Sequence, residues 1–335
     1  MSLCILAVSL LLGNCSAWRP TAAQSGSRGR AALRAGDYDA AKEHFESALK
    51  SAPESEENQL GLLQVLRETG AYEEAVRRAD QYLATRETSA ALHLERGRVA
   101  SARGDYGGAE RHLRRSLGLQ GGAVRLDALR ELALLLETVG NARGAQVLWD
   151  ELISEYRAGR IQGSQALGNV AVAAWHREYF QDANDIFLDA TSEKLAGEIS
   201  LETLSNFGFL FLEKYDSTHA IGVFRDCLKI NKKYPAALVG MALAKKFESN
   251  AEAEDYARAA LEVNANLVPA MALIAELRIQ EENYEAALGE VRRALAVNPS
   301  NLDALSLQAA CEQFRGDLTA FAQTEKKVLA INPFY

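Results

Sequence analysis

Alanine recurs along this 335-residue chain at intervals of 33 to 38 residues. The series is Ala41, Ala75, Ala109, Ala145, Ala183, Ala220, Ala253 and Ala287, and Phe321 occupies the ninth position. Self-similarity at a period of this length is typical of proteins in which one small structural unit is stacked along the chain. The sequence therefore predicts a solenoid.

Each interval carries the pattern of two helices. After the alanine, large and small apolar residues follow at the spacing of one face of an amphipathic helix, as in Ala41, Phe45 and Leu49. A second apolar stripe lies upstream of the alanine and is clearest over residues 201–211. Between the stripes, five units place a glycine where a helix end favours positive φ: Gly36, Gly70, Gly104, Gly140 and Gly316. Each unit is predicted to be helix, turn, helix.

The chain resembles the tetratricopeptide repeat family. The motifs that carry the resemblance are Gly36-Asp37-Tyr38-Asp39-Ala40-Ala41, Gly104-Asp105-Tyr106, Asn283-Tyr284-Glu285-Ala286-Ala287 and the junction Val297-Asn298-Pro299. It covers roughly residues 22 to 335, although the fifth to eighth units lack the turn glycine. The resemblance implies an all-α, right-handed superhelix of about nine repeats.

The predicted organisation is a signal peptide over residues 1–17, a short polar linker over 18–24 and the repeat array over 25–335. The first unit extends back to residue 22. The approximate units are 22–55, 56–89, 90–123, 126–159, 164–197, 201–233, 234–267, 268–301 and 302–335.

The N-terminal residues have a different composition from the array. Residues 3–12 form an apolar run of signal-peptide length, which predicts export to the periplasm or cell envelope of a bacterium. Cys15 lies in a sequence similar to a lipoprotein box, so lipidation of Cys15 and cleavage after Ala17 remain alternatives. A third alternative is that the run caps the first repeat. The mass of the mature N-terminus distinguishes the three.

Composition excludes several classes of function. Charged residues make up 24% of the chain, and no apolar stretch of about 18 residues follows the N-terminus, so an integral membrane protein is not expected. The formal charge of −8 disfavours nucleic acid as a partner. The sequence also lacks the common metal-binding, nucleophile and phosphate-binding motifs. We expect no catalysis, no cofactor and no metal site.

Binding residues are expected on the first helix of each unit, because the resemblance implies that these helices line a concave groove. The candidates for peptide binding are Arg98, Arg130, Asn169, Trp175, His176, Asn206 and Phe209. Asn169 and Asn206 occupy equivalent positions in adjacent units, where their amides suit an extended peptide backbone or are simply common family residues. Trp175 and Phe209 are either aromatic anchors or half-buried packing residues. Because stacked repeats are expected to touch only their neighbours, an elongated curved surface without an enclosed pocket is predicted.

The last unit is expected to expose apolar residues, because no further helix covers it. Leu318, Val328 and Leu329 are predicted to face this open end. Such an end suggests a partner, self-association with a second copy, or the continuation of a longer protein.

The function predicted from the sequence is a non-catalytic, exported protein-interaction scaffold that binds an extended peptide or a helix in its groove. The alternative is an accessory repeat region of a larger exported enzyme, for example a metallopeptidase-like one, or of an envelope assembly, with the chemistry supplied elsewhere.

Overall fold

The computed structural model describes residues 21–119, 123–192 and 197–335, and every regular element in these ranges is a helix. The predicted signal peptide, including Cys15, lies outside the described residues. Consecutive helices pair into units 1 to 9, each formed by an odd-numbered first helix and an even-numbered second helix. The helices are α1 (Ala22–Ala35), α2 (Tyr38–Ser51), α3 (Glu56–Glu68), α4 (Tyr72–Thr85), α5 (Ala90–Ala102), α6 (Tyr106–Leu119), α7 (Ala123–Thr138), α8 (Ala142–Arg157), α9 (Ser164–His176), α10 (Phe180–Ala190), α11 (Leu201–Glu213), α12 (Ser217–Ile230), α13 (Pro235–Lys245), α14 (Asn250–Val263), α15 (Val268–Gln280), α16 (Tyr284–Val297), α17 (Leu302–Phe314) and α18 (Leu318–Ile331).

The predicted linker over 18–24 is too long at its C-terminal end, because α1 already begins at Ala22. A capping box explains the early start. The backbone N–H of Gln24 donates to the Thr21 hydroxyl at 3.2 Å, and the Thr21 N–H donates to the Gln24 side chain at 3.0 Å. These two bonds satisfy backbone donors that the first turn of a helix otherwise leaves unpaired.

Large residues of the second helices fill the space between first helices. The Phe45 ring of α2 is fully buried and lies between Gly29 of α1 and Gly61 of α3. Phe224 of α12 lies in the same way between Gly208 and Gly240. Each unit thus covers the apolar face of its neighbour, as the alanine period predicts.

The superhelix also brings distant units together. The turns of units 1 to 4 contact the ends of the second helices of units 6 to 9, and we call this contact the seam. The bonded pairs are 192 to 198 positions apart. Asn264 Nδ2, for example, donates to the Tyr72 hydroxyl at 3.2 Å, and the Tyr106 hydroxyl donates to the Ser300 carbonyl at 3.1 Å. The expectation that units touch only their immediate neighbours is therefore wrong.

Four asparagines with the same local geometry form one side of the seam: Asn231, Asn264, Asn298 and Asn332. Each is buried, and each Oδ1 accepts the backbone N–H two residues further on at 2.9 to 3.0 Å. This local bond fixes the amide, so that in three of them Nδ2 donates across the seam: Asn231 to Tyr38 at 3.2 Å, Asn264 to Tyr72, and Asn332 to the Glu137 carbonyl at 3.3 Å.

The other side of the seam is formed by the turn glycines of units 1 to 4. A Cβ at Gly36, Gly70 or Gly104 would lie 2.1 Å from the facing asparagine Oδ1. The turns of units 5, 6 and 8 lie outside this contact, and Glu178, Tyr215 and Glu282 occupy these turns with φ near +60°. Positive φ alone therefore does not demand glycine in this fold. The close approach across the seam does.

The last unit differs in one respect from the prediction. Leu318 is 64% exposed and Leu329 is 43% exposed, but Val328 is buried against Leu302 and Leu305. Val328 points back into its own unit because it lies on the face of α18 that packs on α17. Self-association through this end stays a prediction.

No helix within residues 21–119, 123–192 and 197–335 has both the length and the apolar character needed to cross a membrane.

Candidate functional site: the channel inside the superhelix

The first helices of units 1 to 8 surround a channel with a volume of about 1300 Å³. A second cavity of about 610 Å³ shares Tyr72, Ala102, Glu131, Leu267 and Pro269 with it, so the two spaces adjoin. Pockets for small ligands are usually about 300 to 1000 Å³. The channel is thus large enough for a macromolecular segment. The predicted curved surface is folded into this open channel because the seam draws distant units of the array together.

One wall of the channel is charged and is built from units 2 to 6. Arg98 of α5 is its central cation, with Nη1 2.7 Å from Glu95 and Nε 3.0 Å from Glu131. Its Nη2 lies 3.8 Å from Asp127 and 4.0 Å from Glu202. Four carboxylates from three helices therefore converge on one guanidinium.

Arg130 of α7 extends this network behind the wall. Its side chain is 3% exposed and donates to Asn169 Oδ1 at 2.8 Å and to Glu131 at 2.6 Å. Arg130 also donates to Glu202 of α11, so the pair ties unit 4 to unit 6. The Asn169 amide donates in turn to Asp127 at 2.6 Å. This arrangement satisfies the buried groups and holds the carboxylates of the wall in place.

The arginines decide the ionisation of most of these acids. Burial disfavours the charged form of Glu202, but Arg130 and Arg98 outweigh it and lower the pKa of Glu202 to about 2. Burial likewise opposes the charge of Glu95, and Arg67 and Arg98 overcome it, so the pKa of Glu95 is also lowered. These carboxylates are ionised at neutral pH.

Glu68, at the end of α3, behaves in the opposite way. Its carboxylate lines the channel and accepts a hydrogen bond from Gln64 Nε2 at 2.7 Å. Burial is the largest influence and raises the pKa of Glu68, although Arg67 acts against it. Burial also raises the pKa of Tyr234 across the channel, and the charges of Glu68 and Glu202 add to this effect.

The opposite wall is mainly apolar and comes from units 6 to 8. It is formed by Phe209, Tyr234, Pro235, Val239, Leu243, Leu267 and Pro269. Phe209 is fixed by an edge-to-face contact with the buried Phe224 ring, at a centroid distance of 5.2 Å. The channel is therefore amphipathic in cross-section, with charged groups facing an apolar surface.

Of the seven residues predicted to bind a peptide, Arg98 and Phe209 line the channel. Arg130 and Asn169 are buried behind the wall with their polar atoms already bonded, so they position other groups and do not reach a ligand. Asn206 is half-buried outside the channel lining and makes no hydrogen bond to another described residue. The two asparagines therefore do not form a ladder.

Trp175 and His176 lie at the end of α9, away from the channel lining. The Trp175 ring packs against the core of units 3 to 6. His176 stacks on Trp149 at 4.9 Å, and its Nδ1 lies 2.7 Å from a Glu137 oxygen. Both residues support the junction between units 4 and 5.

Sequence reasoning missed Arg67, Glu68, Glu202 and Tyr234, which all line the channel. Glu68 and Glu202 resemble the many exposed carboxylates of the chain, and only the closure of the superhelix places them inside. The sequence did contain a signal for that closure. Glycine occurs in the turns of units 1 to 4, and asparagine occurs at the second-helix ends of units 6 to 9, the units that these turns contact.

No group of three or more His, Cys, Asp or Glu side chains is arranged for metal binding in the part of the chain that the structure describes.

The fold defines a class, the αα-superhelices built from short helical repeats. Residues 32–99 and 272–335 each match a sequence model of the tetratricopeptide repeat. The chain therefore contains tetratricopeptide repeats.

Solved structures with a similar fold include the APC/C hetero-tetramer Cut9–Hcn1, with 16% identity and a TM-score of 0.49. That match covers 83% of this chain and 53% of the other, so the chain spans about half the length of this relative. A tetratricopeptide repeat protein from Parabacteroides merdae shares 16% identity with a TM-score of 0.47, over 71% of this chain and 91% of the other. A comparison with curated protein sequences finds no match.

Proposed function

We propose that the channel binds a peptide segment of a partner protein. Tetratricopeptide repeats are protein-interaction modules, and their presence indicates a protein-interaction scaffold. The observation that supports the channel as the binding site is its amphipathic lining, with the wall of Arg98 and Glu202 opposite the wall of Phe209 and Leu243. Grooves that hold peptides combine apolar contact area with fixed polar groups in this way.

The dimensions of the channel fit a short segment. A helix has a diameter of about 10 Å and rises about 1.5 Å per residue, so a volume of about 1300 Å³ corresponds to roughly ten residues of helix. Because the charged groups are held by neighbouring helices, little side-chain order has to be gained on binding. We therefore expect a preformed site.

The test is selection of peptides from a random library displayed on phage, followed by affinity measurements on a channel variant. Ala236 is half-buried and lines the channel, so Ala236→Trp places an indole inside it. Val147 is 66% exposed, and Val147→Trp adds the same group elsewhere. We expect Ala236→Trp to weaken the selected peptides at least about tenfold and Val147→Trp to leave them unchanged.

Equal binding by both variants would place the peptide site outside the channel. Failure to select any peptide would contradict the proposed function. Thermal unfolding of both variants serves as the folding control.

We also propose export of the chain to the bacterial cell envelope, with a lipid anchor on Cys15 or cleavage after Ala17. This proposal rests on the sequence of residues 3–17 alone.

A further inference from the structure

The charges inside the channel do not balance. Its lining contains four arginines, Arg30, Arg34, Arg67 and Arg98, and five carboxylates, Glu68, Asp127, Glu131, Glu198 and Glu202. The difference is one negative charge. Arg130 and Glu95, which lie directly behind the charged wall, cancel each other, and Arg30 is paired with Glu57 outside the lining at 2.6 Å, so the lining and its ion-pair partners remain net negative.

The ion pairs show which carboxylate of the lining has no cationic partner. Arg34 lies 3.2 Å from Glu198, and the three carboxylates of Asp127, Glu131 and Glu202 share the guanidinium groups of Arg98 and Arg130. Arg67 pairs with Glu95 at 3.0 Å and so is already neutralised from behind. Among the described residues, Glu68 is the carboxylate of the lining that has no ion pair within 4.0 Å.

Glu68 is in an unfavourable position for an unpaired charge. The donors to its carboxylate are neutral, namely the Gln64 amide and the Tyr38 hydroxyl, and the apolar wall with Tyr234 faces it across the channel. A buried carboxylate without a counter-ion costs free energy unless it is neutralised. In contrast, Arg98 Nη2 lacks a hydrogen bond, but its charge is compensated by carboxylates on four sides.

We propose that the occupant of the channel is an amphipathic peptide segment carrying a lysine or arginine that pairs with Glu68, while its apolar side packs on the wall of units 6 to 8. The inference rests on the proposed function, since it assigns the chemistry of the segment that the channel binds. A basic side chain reduces the excess negative charge of the lining and supplies the charged donor that the Glu68 carboxylate lacks.

The experiment uses three synthetic peptides with leucine at the same helical positions and lysine, glutamine or glutamate at all the others. Each carries a fluorophore, and binding to the full chain is measured by fluorescence anisotropy. The Glu68→Gln variant keeps the shape of the side chain and the contact with Gln64 but removes the charge. Glu43→Gln, on the exposed face of α2, removes the same charge from the outer surface and controls for the overall charge of −8.

We expect the lysine peptide to bind the unsubstituted chain about tenfold more tightly than the glutamine peptide. Glu68→Gln should abolish most of this preference, and Glu43→Gln should retain it. A preference for the glutamate peptide, a preference that persists in Glu68→Gln, or failure of all three peptides to bind would overturn the proposal.

The failure of this inference is distinguishable from the failure of the proposed function. If the glutamine peptide binds and Ala236→Trp blocks it, the channel is a peptide site whatever the charge preference. If the charge preference is absent in that case, only the assignment of a basic occupant is wrong.

Discussion

At the scale of single residues, Glu68 and Glu202 show how position in the channel decides the properties of a carboxylate. Glu202 contacts two arginines, and its pKa falls to about 2 in spite of burial. Glu68 has no such partner, and burial raises its pKa. The two acids therefore affect stability in opposite directions as the pH changes.

Replacement of these acids tests that difference. The pKa of Glu68 is higher in the folded chain than in the unfolded chain, so protonation of Glu68 stabilises the fold. This stabilisation is lost as the pH rises above 4.5, the ordinary pKa of a glutamate. Glu68→Gln should therefore raise the free energy of unfolding at pH 7 and have little effect at pH 4. The measurement is urea denaturation at both pH values.

Glu202→Gln is the matched control for Glu68→Gln. It should lower the free energy of unfolding at pH 7 by about 2 kcal/mol. This loss is smaller than for a fully buried pair, because solvent in the channel screens the attraction between Glu202 and the arginines. This loss should shrink as the pH falls from 4.5 towards 2. Destabilisation by Glu68→Gln at pH 7 would show that the Glu68 charge is already compensated in the free protein.

At the scale of helices, stacking depends on glycines that admit aromatic rings. A Cβ at Gly240 of α13 would lie 2.2 Å from the Phe224 ring of α12. The close contact between these helices therefore requires a residue without a side chain. The cost is a glycine inside a helix, which is about 1 kcal/mol less favourable than alanine there.

Gly240→Ala tests which effect is larger. We expect a net loss of about 2 kcal/mol in the free energy of unfolding, because the overlap with Phe224 exceeds the gain in helix propensity. Gly222 of α12 has no neighbour within 4 Å of a built Cβ, and Gly222→Ala should instead gain up to about 1 kcal/mol. Chemical denaturation of both variants provides the comparison.

A double-mutant cycle assigns the loss to the ring. In a Phe224→Leu background, Gly240→Ala should cost clearly less than in the unsubstituted chain. An unchanged cost would mean that Phe224 is not the group that excludes the methyl.

At the scale of the whole molecule, the seam converts a curved array into a channel. A chain of repeats is usually stabilised by units and their nearest neighbours alone. Here Asn231, Asn264 and Asn332 add hydrogen bonds between units five positions apart, and Asn298 packs against Gly104 in the same way. The two walls of the channel come from different halves of the array, so their separation depends on these contacts.

Gly70→Ala tests the seam. The Gly70 turn has φ +75°, and a methyl would overlap the Asn264 side chain. The left-handed conformation costs about 1 kcal/mol for alanine, and loss of the seam contact should bring the total to about 3 kcal/mol. Small-angle scattering should show an increased radius of gyration, because the units on either side of the seam separate.

Gly316→Ala is the control, since Gly316 has φ +76° with no atom within 4 Å of its built Cβ. It should cost only about 1 kcal/mol and leave the radius of gyration unchanged. If both variants behave alike, the seam does not hold the superhelix closed in solution.

The amino-acid sequence by itself determined the repeating unit. Alanine in the second helix of units 1 to 8, an apolar residue four positions later and a turn between the two helices are local requirements of helix pairs, so they can be read without knowing the fold. The same reasoning predicted the family and the general course of the first helices. It also identified Arg98 and Phe209 as groove residues.

The tertiary structure alone decided where the array closes. Small rotations between neighbouring units accumulate, and their sum over five units brings Gly70 against Asn264 and encloses Glu68. No single pair of units encodes that sum, and for this reason Arg130 and Asn169 were predicted on a surface but lie behind a wall. Local sequence patterns fix the unit, whereas the channel and its unpaired charge follow from the accumulated geometry of the whole superhelix.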